Sequence, residues 1–509
     1  MKVKDTYIPK IISSILFNSL LILSGIFTSP NHNLLTSLLL ILGAAGSYFY
    51  MVFAVADRNW FDVRAVFSGV WMFTLGLATL RLAEYQKPWA VKTWILLAVG
   101  YGLFELGANL GLEWGPRAYE AVSSHFRGRK QGRCYLHLEP ERYFPLCVTV
   151  TLLGLLCFLS NVAIKGFIPC FSADPNAYME FYTKFHVFSV AATTVSGLCY
   201  YTIKTQSLTW WKKGILWMCI FYLDFLFPIM VVSRGVFVVA ALSLTVTVFY
   251  LNKKRLWVLF LCMAMILGVY QFTSGLRSYT DAQLNVFFEP KEITIGESAI
   301  RETTLPETTL PETTGCETTL PETTVSETVP AETASADPTV PEAEEEVTFT
   351  LSPKMSFLYG YLTVSHDNFN EEVKNLQGYT WGCRMFRPFN VILRLDRVDE
   401  IIQSSEHYQV NPYLNTTNMF GTFYYDFHEI GIIIFVLLWS AIFGAVQGIY
   451  EKYGQVFVLL LLGYTMGPPT LSFFASWVDG FEFWMFCGTV ILLAAAASVH
   501  LKKKTDEER

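Results

Sequence analysis

Charged side chains are scarce in this chain. Only 16% of its 509 residues are Asp, Glu, Lys or Arg, whereas 52% are hydrophobic; a soluble domain carries about 25% charged residues. Apolar runs of about 20 residues, the length that crosses a bilayer, recur along almost the whole sequence. This composition excludes an ordinary soluble protein and predicts a polytopic membrane protein. The basic start, 1–10, precedes an apolar run without a small-residue cleavage pattern, so we expect a first helix rather than a cleaved signal.

Motifs that hold metals or nucleotides are also missing. The ten cysteines include no Cys-x-x-Cys pair, so zinc spacing is absent, and one disulfide among Cys170, Cys316 and Cys383 stays open. The sequence has no Walker loop, no dinucleotide-binding glycine motif and no Asp-x-Asp pair. We therefore predict no metal site, no cofactor and no nucleic-acid partner.

The apolar runs predict about twelve membrane helices. Their approximate spans are 10–28, 34–54, 65–82, 92–112, 143–163, 184–203, 214–232, 235–251, 256–273, 427–450, 455–477 and 482–500. Lys and Arg concentrate in alternate loops, which places those loops and both termini in the cytoplasm; the weak point is the segment from Arg81 to Lys87, which falls on the other side. Four regions follow: a bundle of about nine helices over 1–273, an extracytoplasmic loop over 274–425, about three helices over 426–500, and a cytoplasmic tail over 501–509.

The large outer loop contains a low-complexity segment. Residues 302–346 repeat Leu-Pro-Glu-Thr-Thr and hold 12 acidic residues without Lys or Arg, so we predict a disordered acidic tether. A neutral insertion explains it well, because long surface insertions cost little free energy; O-glycosylation or wall contact is the alternative. The remainder, 347–425, is predicted to be the folded half of the loop.

Polar and aromatic residues crowd the point where the chain re-enters the membrane, between Asn415 and Gly431. Polar groups at that depth are costly and usually have a functional or packing reason. We predict Asp426 as the base that takes a proton from a sugar hydroxyl, with Glu429 or His428 behind it. Three further side chains are predicted to bind sugar: Tyr424, Tyr425 and Asn418.

Bland explanations of this run stay open. Acids at a helix start also stabilise the helix dipole, and aromatic rings also form the interfacial belt of a membrane protein. His366 and His407, in the folded half of the loop, are further candidates for the base.

Arginines at the same membrane face are candidates for binding an anion. Arg234 lies between two nearly contiguous apolar runs, and Arg277 follows the ninth predicted helix. Guanidinium groups match phosphate oxygens in a bidentate fashion, so we predict that both bind a substrate pyrophosphate. Arg384 and Arg387 belong to a basic segment, 383–397, which is either a lid over phosphate and sugar or a helix with solvated charges. An arginine that reaches lipid headgroups is the alternative for Arg234.

Two acids lie inside predicted helices. Asp224 and Glu105 each sit within an apolar run. Either residue is an interior polar contact of the bundle or lines a cavity, and the sequence does not choose between them.

Four short motifs occur in a fixed order on one predicted membrane side. They are Gly166-Phe-Ile-Pro-Cys-Phe171, Ser233-Arg-Gly235, Gly275-Leu-Arg-Ser278 and the run from Asn415 to Gly431. The set resembles the O-antigen and capsular repeat-unit polymerase family (Wzy-type), whose members carry Gly-x-Ile-Pro-Leu-Phe, Ser-Arg-Gly, Gly-x-Arg and Tyr-x-Asp-Phe/Gly segments in that order. The motifs span about half of the chain. The chain departs from the family at Phe427-His428, where Phe-Gly or Gly-x is commoner.

The resemblance implies an all-α polytopic membrane protein with a GT-C-like polymerase architecture and one large extracytoplasmic loop. It implies a metal-independent glycosyltransferase of the cytoplasmic membrane that joins oligosaccharide repeat units carried on undecaprenyl diphosphate into a surface polysaccharide such as a capsule or exopolysaccharide. The expected partners are that lipid-linked oligosaccharide, the lipid bilayer, and a flippase and a chain-length regulator of the same pathway.

Two other functions remain open. A ligase that moves a finished glycan to another acceptor shares the topology and the pyrophosphate chemistry. A flippase or transporter of the lipid-linked oligosaccharide fits twelve helices, although no internal repeat of the kind found in transporters is visible.

Overall fold

The structure is a computed structural model of the chain. It describes residues 7–30, 32–128, 139–172, 177–252, 293–295, 347–349, 352–389, 400–402, 408–410 and 416–498, and four isolated helical positions at 257, 260, 264 and 268. The statements below concern these residues. Arg277, His407 and most of the predicted ninth helix lie outside them.

The described chain is helical apart from one pair of short strands. Its helices are α1 (Tyr7–Thr28), α2 (Asn33–Tyr50), α3 (Val63–Thr79), α4 (Val91–Gly128), α5 (Tyr143–Lys165), α6 (Ala177–Glu180), α7 (Lys184–Ala192), α8 (Val195–Thr205), α9 (Trp210–Phe221), α10 (Phe227–Val231), α11 (Arg234–Leu251), α12 (Pro353–Asn375), α13 (Met419–Gly431), α14 (Leu437–Tyr453), α15 (Val456–Thr465), α16 (Gly467–Leu471) and α17 (Phe481–Ser498). π-Helical turns extend α2 and join α9 to α10 and α13 to α14. The predicted all-helical class is confirmed for the described residues.

Six helical stretches are long and apolar enough to cross a membrane. They are Ile8–Thr28, Asn33–Val55, Val91–Ser124, Pro140–Lys165, Trp210–Val231 and Met419–Tyr453. Four shorter apolar helices accompany them: Val63–Thr79, Gly235–Leu251, Val456–Leu471 and Phe481–Ala497. The chain is therefore a multi-pass membrane protein.

Several helix boundaries differ from the sequence-based spans; α4, for example, runs to Gly128 rather than to 112. Helix α13 begins at Met419 rather than near 427, because the Asn418 side chain caps it by accepting a 3.0 Å hydrogen bond from the Gly421 amide. The predicted helix over 184–203 is broken into α7 and α8. At the break, the hydroxyls of Thr193 and Thr194 donate to carbonyls three residues earlier, which offers the backbone an alternative to a continuous helix.

Close packing of α4 against α14 forms the centre of the bundle. Small residues recur every four positions on α4, at Gly107, Gly111 and Gly115, and on α14, at Gly444 and Gly448. A Cβ atom on Gly111 would lie 2.0 Å from the carbonyl oxygen of Ala441. The two backbones therefore touch, as in the small-xxx-small contacts of membrane helices.

Helix α12 is polar yet buried. Its Asp367 accepts 2.8 Å hydrogen bonds from Gln86 and from the Trp89 indole. Its Asn370 accepts from the Thr93 hydroxyl at 2.8 Å. These contacts fix α12 to the end of the bundle where α4 begins. The structure thus gives one ordered helix to the region predicted to be the folded half of the loop.

Strands β1 (Ile293–Ile295) and β2 (Val347–Phe349) form an antiparallel pair in which Ile295 lies opposite Val347. The low-complexity segment 302–346 lies between these strands in sequence. The chain therefore leaves β1 and returns to β2 at neighbouring points.

Candidate functional site

The start of α13 is fixed by buried polar contacts. Asn418 is fully buried and lies 3.2 Å from Nδ1 of His366, whose Nε2 lies 3.0 Å from the Thr74 hydroxyl. Burial lowers the pKa of His366 to about 3, so its imidazole is neutral at physiological pH. Asn418, predicted to bind sugar, is placed as a helix cap, and His366 links α3 to α13.

Asp426 holds the turn at residues 380–385 in place. Its buried carboxylate accepts hydrogen bonds from the Thr380 hydroxyl, from the Arg384 amide at 3.1 Å and from the Met385 amide at 2.8 Å. The Trp381 amide donates to the Asp426 carbonyl at 3.2 Å. These hydrogen bonds tie residues 380–385 to α13.

Arg384, which belongs to this turn, stacks on the ring of Tyr425 in α13. The guanidinium carbon lies 3.5 Å from the centre of the Tyr425 ring, a cation–π contact. Glu372 of α12 is fully buried nearby and accepts a 2.9 Å hydrogen bond from the Thr417 hydroxyl. Burial raises the pKa of Glu372 to about 8, while the Arg384 charge opposes that rise. The predicted residues Arg384 and Tyr425 therefore belong to one cluster with an acid that the sequence analysis did not single out.

His428 occupies a strained position between two tyrosines. Its φ of 49° and ψ of −134° interrupt α13, in a backbone region that a non-glycine residue rarely adopts. Its ring stacks on Tyr379, with centroids 4.2 Å apart, and on Tyr424, with centroids 4.7 Å apart. Nε2 lies 3.1 Å from the Gly378 carbonyl oxygen. Such outliers cluster at functional sites. Tyr424 is buried, whereas Tyr379 is 46% exposed, so the Tyr379 end of the stack is the candidate surface for a sugar ring.

Glu429 is paired with a lysine of α4. Its carboxylate lies 2.5 Å from Nζ of Lys92, and both side chains are nearly half exposed. The same lysine donates to the Tyr424 hydroxyl at 2.9 Å. Lys92 is thus a cation of this site that the sequence analysis missed, since it stands alone at the start of an apolar run.

A cavity lies at the start of α11, beside the Ser233–Gly235 motif. It has a volume of about 290 Å³ and is lined by Tyr182, His186, Ser233, Gly235, Val236, Val239, Trp477, Glu482 and Phe486. The Ser233 hydroxyl caps α11 by accepting from the Val236 amide. Trp477, which lines the cavity, has a φ of 60°. Val232, which directly precedes the motif, has a φ of 55°. A left-handed backbone conformation at a non-glycine residue therefore occurs both in the cavity lining and next to it in sequence.

Arg234 is the first residue of α11, and its side chain lies outside the described part of the structure. Its backbone position nevertheless places it between two residues that line the cavity, Ser233 and Gly235. The sequence-based candidate for pyrophosphate binding is thus adjacent in sequence to two residues that line a cavity.

The basic segment predicted as a lid connects the two areas. Its described part, 383–389, is tied to Asp426 as above, and the Phe389 ring lies 4.8 Å from that of Trp484 on α17. Burial raises the pKa of Asp479 to about 6, and the charges of Arg384 and the exposed Arg387 lower it, so both arginines act on that acid electrostatically. The segment therefore spans the distance from α13 to the helix that forms one cavity wall.

Comparisons with protein-family models, with curated proteins and with solved structures find no match to this chain. Among the described residues, no group of three His, Cys, Asp or Glu side chains is placed to hold a metal ion. The function must therefore be argued from the site itself.

Proposed function

We propose that the protein polymerises oligosaccharide repeat units carried on undecaprenyl diphosphate at the outer face of the cytoplasmic membrane. The observation that supports this most is the cavity at Ser233–Gly235, because it lies at the motif that resembles the Ser-Arg-Gly segment of the polymerase family and that we predict to bind the pyrophosphate. The proposal includes about twelve membrane helices, a GT-C-like architecture and cytoplasmic termini.

The start of α11 suits a diphosphate. The first amides of a helix have no partner within the helix, and together with the helix dipole they favour an anion. Arg234, the first residue of α11, is one proposed cation, and Arg277, after the ninth predicted helix, is the second. Both would stabilise the charge that develops on the diphosphate as the glycosidic bond breaks.

The aromatic and basic surface at α13 suits the glycan. The exposed ring of Tyr379, which stacks on His428, offers a flat face to sugars. The segment 380–389, held by Asp426, lies beside this ring through Trp381 and would exclude water, which favours transfer over hydrolysis. The role of base stays a prediction for Asp426, although its three donors favour an anchoring role.

The test is a deletion of the gene in its host, complemented with the wild type, with Arg234→Ala or with Arg117→Ala. Arg117 is the matched control, since its exposed guanidinium pairs with Glu113 at 3.0 Å one turn away on α4. We expect the wild type and Arg117→Ala to restore long polymer, and Arg234→Ala to leave single lipid-linked units on the outer leaflet at normal protein abundance. Long polymer in the Arg234→Ala strain would overturn the proposal.

A transporter of the same lipid-linked unit is the second candidate, supported by polar groups inside the bundle. Glu105 is fully buried and accepts a 2.5 Å hydrogen bond from Ser68, which in turn accepts from Tyr101 at 2.7 Å. Ionisable residues within a membrane often mark a transport path. Accumulation of repeat units on the cytoplasmic leaflet in the deletion strain would support this function, whereas outer-leaflet units support polymerisation. Finished chains left on the lipid would indicate a ligase.

A further inference from the structure

We propose that the cavity wall formed by Tyr182, His186 and Glu482 binds the acceptor sugar, and that Glu482 takes the proton from its attacking hydroxyl. This inference rests on the proposed function, since it assigns the acceptor site of that same reaction.

Glu482 is held in position with one oxygen available. It lies in the first turn of α17, and its Oε1 accepts a 2.7 Å hydrogen bond from the Tyr182 hydroxyl. Within the described part of the chain, no side chain or backbone group bonds Oε2. One oxygen therefore fixes the carboxylate, and the other is free to accept a hydroxyl proton.

Two buried nitrogens in the same cavity lack partners. His186 is 3% exposed, and its Nδ1 makes no hydrogen bond in the described structure; the same holds for the indole nitrogen of Trp477. Buried polar groups in native proteins are nearly always bonded, so both indicate a polar ligand. Burial lowers the pKa of His186 to about 4, so its neutral ring has one nitrogen to donate and one to accept, which matches a sugar hydroxyl.

The start of α11, where we propose that the diphosphate binds, lines the same cavity through Ser233, Gly235 and Val236. The Trp477 ring stands across from Gly235, since a Cβ atom built there would lie 3.6 Å from the ring. A diphosphate at α11 and a hydroxyl at Glu482 would thus share one concavity of about 290 Å³.

The proposed step transfers the growing chain from the diphosphate to the acceptor hydroxyl. The acceptor hydroxyl gives its proton to Glu482, and its oxygen forms a bond to the anomeric carbon of the growing chain. The bond from that carbon to the diphosphate oxygen breaks, and undecaprenyl diphosphate leaves with the electron pair. No other reactant is required.

The other acids near this face are less suited to the step. Asp426 accepts three hydrogen bonds, and Glu429 forms an ion pair with Lys92. Neither residue lines the cavity. Glu482 lines it and, among the described residues, accepts from a single neutral donor.

The experiment uses the full-length protein in lipid nanodiscs, with repeat units extracted on their lipid from the deletion strain. Two quantities are measured: the rate of chain extension, and the dissociation constant for farnesyl diphosphate as a probe of the diphosphate site. The variants are Glu482→Gln, Glu482→Asp, Tyr182→Phe and Arg234→Ala, with Glu113→Gln as an exposed carboxylate control.

We expect Glu482→Gln to slow extension by at least about 100-fold, the usual scale of general-base catalysis, with unchanged farnesyl diphosphate binding. Glu482→Asp should recover part of that rate, Tyr182→Phe should lose less, and Glu113→Gln should match the wild type. Arg234→Ala should weaken farnesyl diphosphate binding.

The outcomes separate the two proposals. If Glu482→Gln extends chains at the wild-type rate while Arg234→Ala does not, the acceptor site is wrong and the polymerase stands. If Glu482→Gln loses extension and probe binding together, its role is structural and the inference falls. If the wild type extends no chain, the proposed function itself falls.

Discussion

The guanidinium of Arg384 lies 3.5 Å over the ring of Tyr425, and this pair connects the segment 380–389 to α13. We predict that a double-mutant cycle with Arg384→Ala and Tyr425→Leu gives a coupling energy of about 1 kcal/mol, the scale of a partly desolvated cation–π contact. Thermal unfolding of the four proteins measures it. Arg387→Ala is the control, since Arg387 is exposed on the same segment; additive effects for Arg384 and Tyr425 would contradict the prediction.

Two buried acids of α12 predict that stability falls as pH rises. Burial raises the pKa of Asp367 to about 7 and that of Glu372 to about 8, from ordinary values of 3.8 and 4.5. Between about pH 4 and 8 the folded state therefore binds more protons than the unfolded state, so the free energy of unfolding decreases through this window. We expect the variant with Asp367→Asn and Glu372→Gln to show a flatter dependence in thermal unfolding.

His366 is expected to change the free energy of unfolding with pH in the opposite direction. Burial lowers its pKa from 6.5 to about 3, so its contribution to stability is present above pH 6.5 and is lost as pH falls. The double variant at the two acids should keep this loss on the acid side. An unchanged slope above pH 6.5 in the double variant would refute the assignment to Asp367 and Glu372.

The contact of α4 with α14 predicts an asymmetric tolerance of glycines. Gly111→Ala places a methyl group 2.0 Å from the Ala441 carbonyl oxygen, and overpacking of this kind typically costs about 1–3 kcal/mol. Gly46→Ala on α2 meets nothing within 4 Å and gains helix propensity. We expect a lower unfolding temperature for Gly111→Ala and an unchanged or higher one for Gly46→Ala; equal values would show that α4 and α14 do not touch in the membrane.

The backbone at His428 predicts a separation of stability from activity. Its φ of 49° and ψ of −134° cost a non-glycine residue about 1–3 kcal/mol, and glycine avoids most of that cost. His428→Gly should therefore unfold at a higher temperature than His428→Ala, while both lose the ring between Tyr379 and Tyr424. If that ring contacts the glycan, both variants will form short polymer, and a normal chain length in both would exclude that contact.

The helical class could be predicted because runs of about 20 apolar residues have few other uses. Helix α12 could not, because its buried side chains are polar and are satisfied by partners such as Gln86 and Trp89. The early start of α13 was hidden by the polar run before it, where the signal was the capping residue Asn418.

The candidate site was predicted only where its residues are close in sequence. The cluster around Tyr424 to Glu429 was found because it is contiguous. Lys92 and Tyr182 were missed, since their partners Glu429 and Glu482 lie hundreds of residues away. The start of α17, with Asp479 and Glu482 three residues apart, was a signal that could have drawn attention to the cavity wall.

The pairing of Ile295 with Val347 has a practical meaning for the chain as a scaffold. Because Ile295 and Val347, the described residues on either side of the repeat, lie side by side, the length of the insert can drift over generations without moving the helices before and after it. The same geometry suits the insertion of a guest domain whose own termini are adjacent, such as a fluorescent reporter.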